Sequence, residues 1–380
     1  MRIFISAGEP SGDLHGANLA RALQRARPGI ECVGFGGERM ETAGCRLLYP
    51  LCDLAVVGLW RVLTNISKFR RLLDDSSRYF RAQRPDAVVL IDYPGFHWWL
   101  AKAAHREGIP VSFFVPPQLW AWASWRVKRM RAYVDHVLCN LPFEDAWYKE
   151  RGVSAHYVGH PYFDDLLTQQ LDPAFIAERN RIPGPVIGLL PGSRTQEVEH
   201  NLPILIGAAR HIHAVRPDAR FLVACFRPSH QDYVRKRVRD GGLPIEVCAR
   251  RTPEIIELAH SCIAVSGSVG LELLYRGKPS VVVYRVNPLF RALSPLLVNA
   301  PYISLVNLLA DKELFPELVT CRNPSMAVAR HVLRWLNEAN CYETVRKELN
   351  VLREKVAVPG ACERAAAFLL GTLTNRACAA

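Results

Sequence analysis

"RIFISAGEPSGDLHGANLARAL", residues 2–23, passes from a short apolar run through a loop with glycines at 8, 12 and 16 into a helical pattern. In an open α/β sheet, ligands bind beyond the carboxyl ends of the strands, where a helix N-terminus offers unpaired N–H groups and a partial positive charge. The loop "SAGEPSGD" occupies that place. Its glycines let the backbone approach a ligand, and Glu9 and Asp13 can accept hydrogen bonds or protons. A tight turn with Asp13 as helix cap explains the same spacing. The absence of G-x-G-x-x-G and of G-K-[ST] excludes a dinucleotide fingerprint and a Walker loop.

The plan recurs downstream. "DAVVLID" precedes "HWWLAKAAHREG", "IPVSFFV" precedes "WASWRVKRMRAY", and "DHVLCNL" precedes "EDAWYKERG". β-branched runs alternating with helical periodicity predict βαβ units on a parallel sheet. A second series starts at "PVIGLLPGSR" and continues through "ARFLVACF", "LPIEVCA", "CIAVSGSVGLELLYRG" and "PSVVVY". The fold class is therefore α/β, with two Rossmann-like domains whose parallel sheets face a cleft. A polar, Pro- and Gly-containing stretch at residues 171–185 marks the boundary. The expected division is 1–170, 171–345 and a C-terminal helical segment 346–380, which packs back on the N-terminal domain or is exchanged in a dimer.

At 380 residues the chain exceeds the size at which one core usually keeps growing. With 49% apolar residues it is not disordered, and its net charge of +12 calls for an anionic partner: nucleic acid, a phosphorylated metabolite or an anionic lipid surface. Eleven cysteines without a C-x-x-C pair do not suit a disulfide framework, which predicts a reducing, cytoplasmic setting. The first strand at Arg2 leaves no room for a signal peptide, and no apolar run approaches the roughly 18 residues that span a bilayer. Membrane contact is expected to be peripheral.

Three further loops carry chemistry. "LLPGSRTQEVEHNLP", residues 189–203, offers Gly192 and Ser193 for a close backbone approach and adds Arg194, whose guanidinium fork suits a diphosphate. The competing reading is an ion pair of Arg194 with Glu197 or Glu199. "AVSGSVGLELLYRGKPSVVVY", residues 264–284, sets Ser266, Gly267 and Ser268 for phosphate and Glu272, one turn into the helix, for ribose hydroxyls. Glycine packing alone explains Gly267 and Gly270 but not Glu272. "VLIDYPGFHWWLA", residues 89–101, ends a strand on Asp92, a carboxylate suited to take a proton from an attacking hydroxyl, or to cap the next turn.

"VPPQLWAWASWRVKRMR", residues 115–131, interleaves aromatic and basic residues, but no recognised nucleic-acid module accompanies it, so nucleic acid is not the expected partner. "VVGLWRVLTNISKFRRLL", residues 56–73, reads as an amphipathic helix. Trp60 and Leu63 would enter an anionic membrane interface and Lys68, Arg70 and Arg71 would meet its headgroups; the alternative is a helix packed on the sheet with a solvated basic face. No D-x-D or H-E-x-x-H occurs, and no metal or other cofactor is expected.

"SAGEPSGDLHGANL", "IDYPGFHWWLA", "PPQLWAW", "LLPGSRTQEVEHNLP", "SGSVGLELLYRGKP" and "YISLVNLLADKELFPEL" follow one another along nearly the whole chain. In that order they resemble the lipid-A-disaccharide synthase family. The resemblance implies an inverting GT-B glycosyltransferase that joins UDP-2,3-diacylglucosamine to 2,3-diacylglucosamine 1-phosphate through a β(1→6) bond and releases UDP. It implies Asp92 as general base with Glu9 second, and substrate contacts from Ser11, Gly12, Gly192, Ser193, Arg194, Ser266, Gly267, Ser268, Glu272 and Asn307. It further implies a homodimer working at the cytoplasmic face of the inner membrane. His97 stands where the family more usually has Asn. The competing readings are a UDP-N-acetylglucosamine 2-epimerase, another UDP-sugar enzyme of the same fold, and a non-catalytic nucleotide-sugar binder.

Overall fold

The computed structural model describes residues 1–52, 66–239, 242–286, 288, 291 and 299–379. They form two compact units, one of residues 1–167 with 358–380 and the other of residues 168–357.

In the first unit, β1 (Arg2–Ala7), β2 (Glu31–Phe35), β3 (Arg46–Tyr49), β4 (Ala87–Ile91), β5 (Val111–Phe114), β6 (His136–Cys139) and β7 (Ala155–Tyr157) form one sheet. Their order is β3-β2-β1-β4-β5-β6-β7, and the pairings are parallel. Because side chains alternate across a strand, each buried strand feeds two cores. Phe4, Val88 and Leu90 join Phe80, Phe96 and Phe113 on one face. Ile3, Ile5, Val89 and Ile91 join the helix Pro10–Ala26 on the other. The helix Ala361–Ala379 packs on that second face through Cys362, Ala365, Ala366 and Leu369.

The second unit repeats the plan with β8 (Val186–Leu190), β9 (Arg220–Cys225), β10 (Ile245–Ala249), β11 (Ser261–Val265), β12 (Ser280–Arg285) and β13 (Glu317–Thr320). The order is β10-β9-β8-β11-β12-β13, again parallel. In each sheet the order reverses once, between β1 and β4 and between β8 and β11. The connections leave such a pair in opposite directions, so a crevice opens beyond its carboxyl ends. The expected α/β class with two parallel sheets and a C-terminal helix is the observed one.

Two expectations change. The stretch Ala339–Asn375 does hold a window long and apolar enough to cross a membrane by composition. Much of its apolar character is spent in the first unit's core, since Ala365, Ala366 and Leu369 are buried there. The basic amphipathic pattern is described only from residue 66 onward; Trp60 and Leu63 lie outside the described residues. In the helix Ile66–Gln83, Leu72 is buried and Phe69 packs 5.6 Å from the Phe96 ring, so this part of the apolar stripe faces the core. Lys68, Arg70 and Arg71 are exposed on its other side.

Candidate functional site

The sequence-derived candidates gather at the two reversals. In the first unit the loop after β1 and the loop after β4 touch. A Cβ on Gly8 would lie 2.3 Å from the Tyr93 ring, so only glycine lets these loops close together. Glu9 is the N-cap residue of the helix Pro10–Ala26, and its carbonyl accepts the Asp13 N–H at 2.8 Å. Ser11 is exposed on the first turn. Gly12 is buried, and a Cβ there would sit 3.4 Å from Ala7 and 3.6 Å from the Ile91 carbonyl oxygen, so it seats the helix on the sheet.

Asp13 does not cap its own helix, as the turn reading supposed. Its carboxylate accepts the N–H groups of Gly37 (2.7 Å), Arg39 (3.1 Å) and Met40 (3.1 Å), and so caps the helix Glu38–Thr42. The carboxylate is oriented by a loop some 24 residues away, which local spacing does not reveal.

Asp92 and Tyr93 both have φ of +48°. This left-handed region costs non-glycine residues about 1–2 kcal/mol each, and such strain clusters where a side chain must be aimed. The Asp92 N–H donates to Val115 (3.3 Å) and its carbonyl oxygen lies 2.6 Å from His97 Nδ1. Glu9 follows Gly8, which packs on the Tyr93 ring, and so lies beside the same turn; burial, and after it the Glu9 charge, pushes the Tyr93 phenol up.

In the second unit Gly192 has φ of +118° and its α-carbon packs against Glu197. Glu197 Oε2 accepts the N–H groups of Ser193 (3.0 Å) and Arg194 (3.1 Å), while its Oε1 meets the Arg194 guanidinium at 3.0 Å. The ion pair anticipated as the alternative is present, and the loop's N–H groups already hold a carboxylate. Arg194 is 70% exposed, and a pair of this kind is worth only about 0–1 kcal/mol, so an anion of higher charge can displace it.

Beyond β11, Gly267 and Ser268 are exposed and Ser266 Oγ donates to the Ile303 carbonyl at 3.2 Å. Glu272 is buried beside Arg276, whose Nε donates to its Oε1 at 3.2 Å. Asn307 departs from the expected ligand-facing amide. Nδ2 donates to the Phe315 carbonyl (2.7 Å) and to Glu317 (2.8 Å), and Oδ1 accepts from Leu314 (2.9 Å) and Phe315 (2.8 Å). Glu317 in turn accepts the Ile303 and Ser304 N–H groups, both at 2.8 Å. Asn307 thus braces the segment on which Ser266 rests. Among the described residues no cluster of three or more His, Cys, Asp or Glu side chains is arranged to hold a metal.

Sequence reasoning missed Ser6 and Glu317 as supporting groups. Ser6 alone left a signal: a hydroxyl inside the apolar run "RIFIS" calls for a buried partner.

Three imidazoles of the first unit are buried and held neutral. Burial lowers His15 to about 4, His97 to about 4 and His160 to about 3, the last also through His15. A group depressed in the fold lets the unfolded chain bind its proton first as pH falls. Its contribution is therefore complete above about 6.5 and is lost toward about 4, at about 1.4 kcal/mol per pH unit for each imidazole. Glu144, raised by burial to about 7, runs the other way and contributes most at low pH. Because these lowered imidazoles, joined by His260 of the second unit at about 4, outweigh Glu144, the Tm is expected to fall by several degrees between pH 7.5 and pH 5.5. A scan by differential scanning fluorimetry showing an unchanged or rising Tm would mean the imidazoles accept protons in the fold.

The family model described as Lipid-A-disaccharide synthetase matches residues 3–369. The lipid-A-disaccharide synthase of Trichlorobacter lovleyi is 35% identical over 373 residues, covering 97% of each chain. That of Syntrophus aciditrophicus is 33% identical over 378 residues, covering 99% of each. Among solved structures, a putative UDP-N-acetylglucosamine 2-epimerase from Listeria monocytogenes aligns with a TM-score of 0.67 over 97% of this chain and 94% of its own, at 12% identity. At that identity the likeness carries the fold alone, whereas the family match spans residues 3–369 and with them both sheets and the loops described above: the chain belongs to the lipid-A-disaccharide synthase family.

Proposed function

We propose that the chain transfers 2,3-diacylglucosamine from UDP-2,3-diacylglucosamine to the 6-hydroxyl of 2,3-diacylglucosamine 1-phosphate, with inversion. The observation that carries this is the family match across residues 3–369, with its polar loops at both strand-order reversals. The acceptor oxygen forms a bond to the sugar C1 and gives its proton to Asp92, while the C1–O bond to the diphosphate breaks and UDP leaves with the electron pair. Negative charge grows on the departing diphosphate. Arg194, together with the backbone N–H groups of Gly192, Ser193, Ser266, Gly267 and Ser268, meets that charge with dipoles that need little reorganisation. Glu272, paired with Arg276, accepts from the ribose hydroxyls. Glu9 and Ser11 line the acceptor side beside Asp92, and Gly12 seats their helix on the sheet.

The test is incubation of the purified chain with both acylated sugars, followed by mass spectrometry. A disaccharide 1-phosphate and UDP are expected. Epimerised UDP-sugar without transfer, or UDP binding without turnover, would replace this reading by the epimerase or the binder.

The protein works as a peripheral enzyme on the cytoplasmic face of an anionic inner membrane, from which acylated substrates need not fully depart. The support is the exposed cationic side of the helix Ile66–Gln83. Each cation near such a surface contributes about 1 kcal/mol, screened by salt. Replacing Lys68, Arg70 and Arg71 by Gln is expected to weaken co-sedimentation with anionic vesicles at low salt while sparing UDP affinity. Replacing Trp60 and Leu63 by Ser should weaken it at high salt as well. Vesicle binding that ignores all five changes, or a loss accompanied by a collapsed Tm, overturns the membrane role.

A further inference from the structure

We propose that His97, supported by Ser6, is a positioning residue that holds the Asp92 turn in the one conformation that aims its carboxylate; this rests on the reading of Asp92 as the base. His97 lies on the helix Pro94–Arg106 and is fully buried, as is Ser6 on β1. Its Nδ1 is 2.6 Å from the Asp92 carbonyl oxygen and its Nε2 is 2.8 Å from Ser6 Oγ.

The chemistry of the partners selects the tautomer. A carbonyl oxygen only accepts, so Nδ1 carries the hydrogen and donates to Asp92. In a neutral ring Nε2 then has the lone pair, and the Ser6 hydroxyl donates to it. Neutrality follows from burial, which disfavours the imidazolium and lowers the group to about 4. The ring thus ties the end of β4 to the body of β1, the two strands at which the sheet order reverses.

What is tied there is strained. Asp92 and Tyr93 both sit at φ of +48°, and a pair of left-handed non-glycine residues persists only where the surroundings over-determine it. Tyr93 is held by its ring on Gly8, and the Asp92 N–H by Val115. The imidazole adds a side-chain hold on the Asp92 carbonyl itself. Packing alone does not call for a histidine here: the rings of Phe96, Phe113 and Tyr93 lie 5.8–6.3 Å from it, an environment that an apolar side chain fills without the cost of burying two ring nitrogens.

Amide replacements separate the two bonds. The amide Nδ2 of an asparagine reaches the place of the histidine Nδ1, and the amide Nε2 of a glutamine the place of the histidine Nε2. On the full chain, His97→Leu is expected to lower kcat by roughly 10²-fold, the cost of a misplaced reacting group, with KM and UDP affinity little changed. His97→Asn keeps the Asp92 bond and should stay within about tenfold of wild type, the loss of one neutral hydrogen bond. His97→Gln should resemble His97→Leu. Added to Asp92→Asn, His97→Leu should cost little more, because the group it aims is already disabled.

Equal rates for the Asn and Gln variants, a loss borne by KM, or the full His97→Leu penalty in the Asp92→Asn background would each overturn the proposal. So would a 15N-histidine spectrum showing the hydrogen on Nε2, a measurement that stands even if His97→Leu fails to fold. Normal turnover of His97 variants beside an inactive Asp92→Asn protein sinks the positioning role alone. An active Asp92→Asn protein sinks the base assignment and the positioning role with it.

Discussion

Asp92→Asn is expected to lower kcat by about 10²- to 10⁴-fold, the usual contribution of a general base, while UDP affinity stays unchanged. The substitution isolates chemistry from structure. Asparagine has nearly the shape of aspartate and tolerates the left-handed region as well as aspartate does, so the strained turn at φ of +48° has no new reason to relax. Its amide cannot take the proton of the acceptor 6-hydroxyl. Single-turnover formation of the disaccharide by mass spectrometry, with UDP binding by calorimetry on the same sample, checks both halves. Near-normal turnover would move the base to Glu9, beside the same turn.

Arg194→Ala is expected to behave differently, with UDP affinity and kcat both falling by about 10- to 100-fold, the cost of one charge-assisted hydrogen-bonding group. The guanidinium and the N–H groups of Ser193 and Arg194 now hold Glu197. A diphosphate brings more charge than a carboxylate, and the exposed ion pair it replaces is weak. Removing the guanidinium leaves Glu197 facing the incoming anion with less compensation, so ground-state binding and the growing charge of the leaving group both suffer. Titration of UDP into the variant reads the first effect and kcat the second. An unchanged UDP affinity would reduce Arg194 to a partner of Glu197.

Much of this protein was legible in the order of its residues. Strand, glycine loop and helix are local patterns set by periodicity and backbone freedom over a dozen residues, so "RIFISAGEPSGD" and "LLPGSRTQEVEH" announce parallel sheets and the loops beyond their ends. The family was legible for a related reason: six separated motifs agree in order, and each is short and contiguous.

What the sequence left open depends on partners distant along the chain. Asp13 was readable as a local cap, but its partners are the N–H groups of Gly37, Arg39 and Met40. Asn307 was readable as a ligand group, but Phe315 and Glu317 use its amide. The apolar residues after position 65 suited a membrane or a core equally, since periodicity shows that one face is apolar and not what covers it; packing against Phe96 decided for Phe69. His97 stood 91 residues from Ser6, and only the pairing of β1 with β4 made them neighbours. Periodicity and turn chemistry act through neighbours in the chain and are written in its order. The direction of a polar side chain is settled by whichever donor or acceptor the fold brings within about 3 Å, and that choice belongs to the tertiary structure.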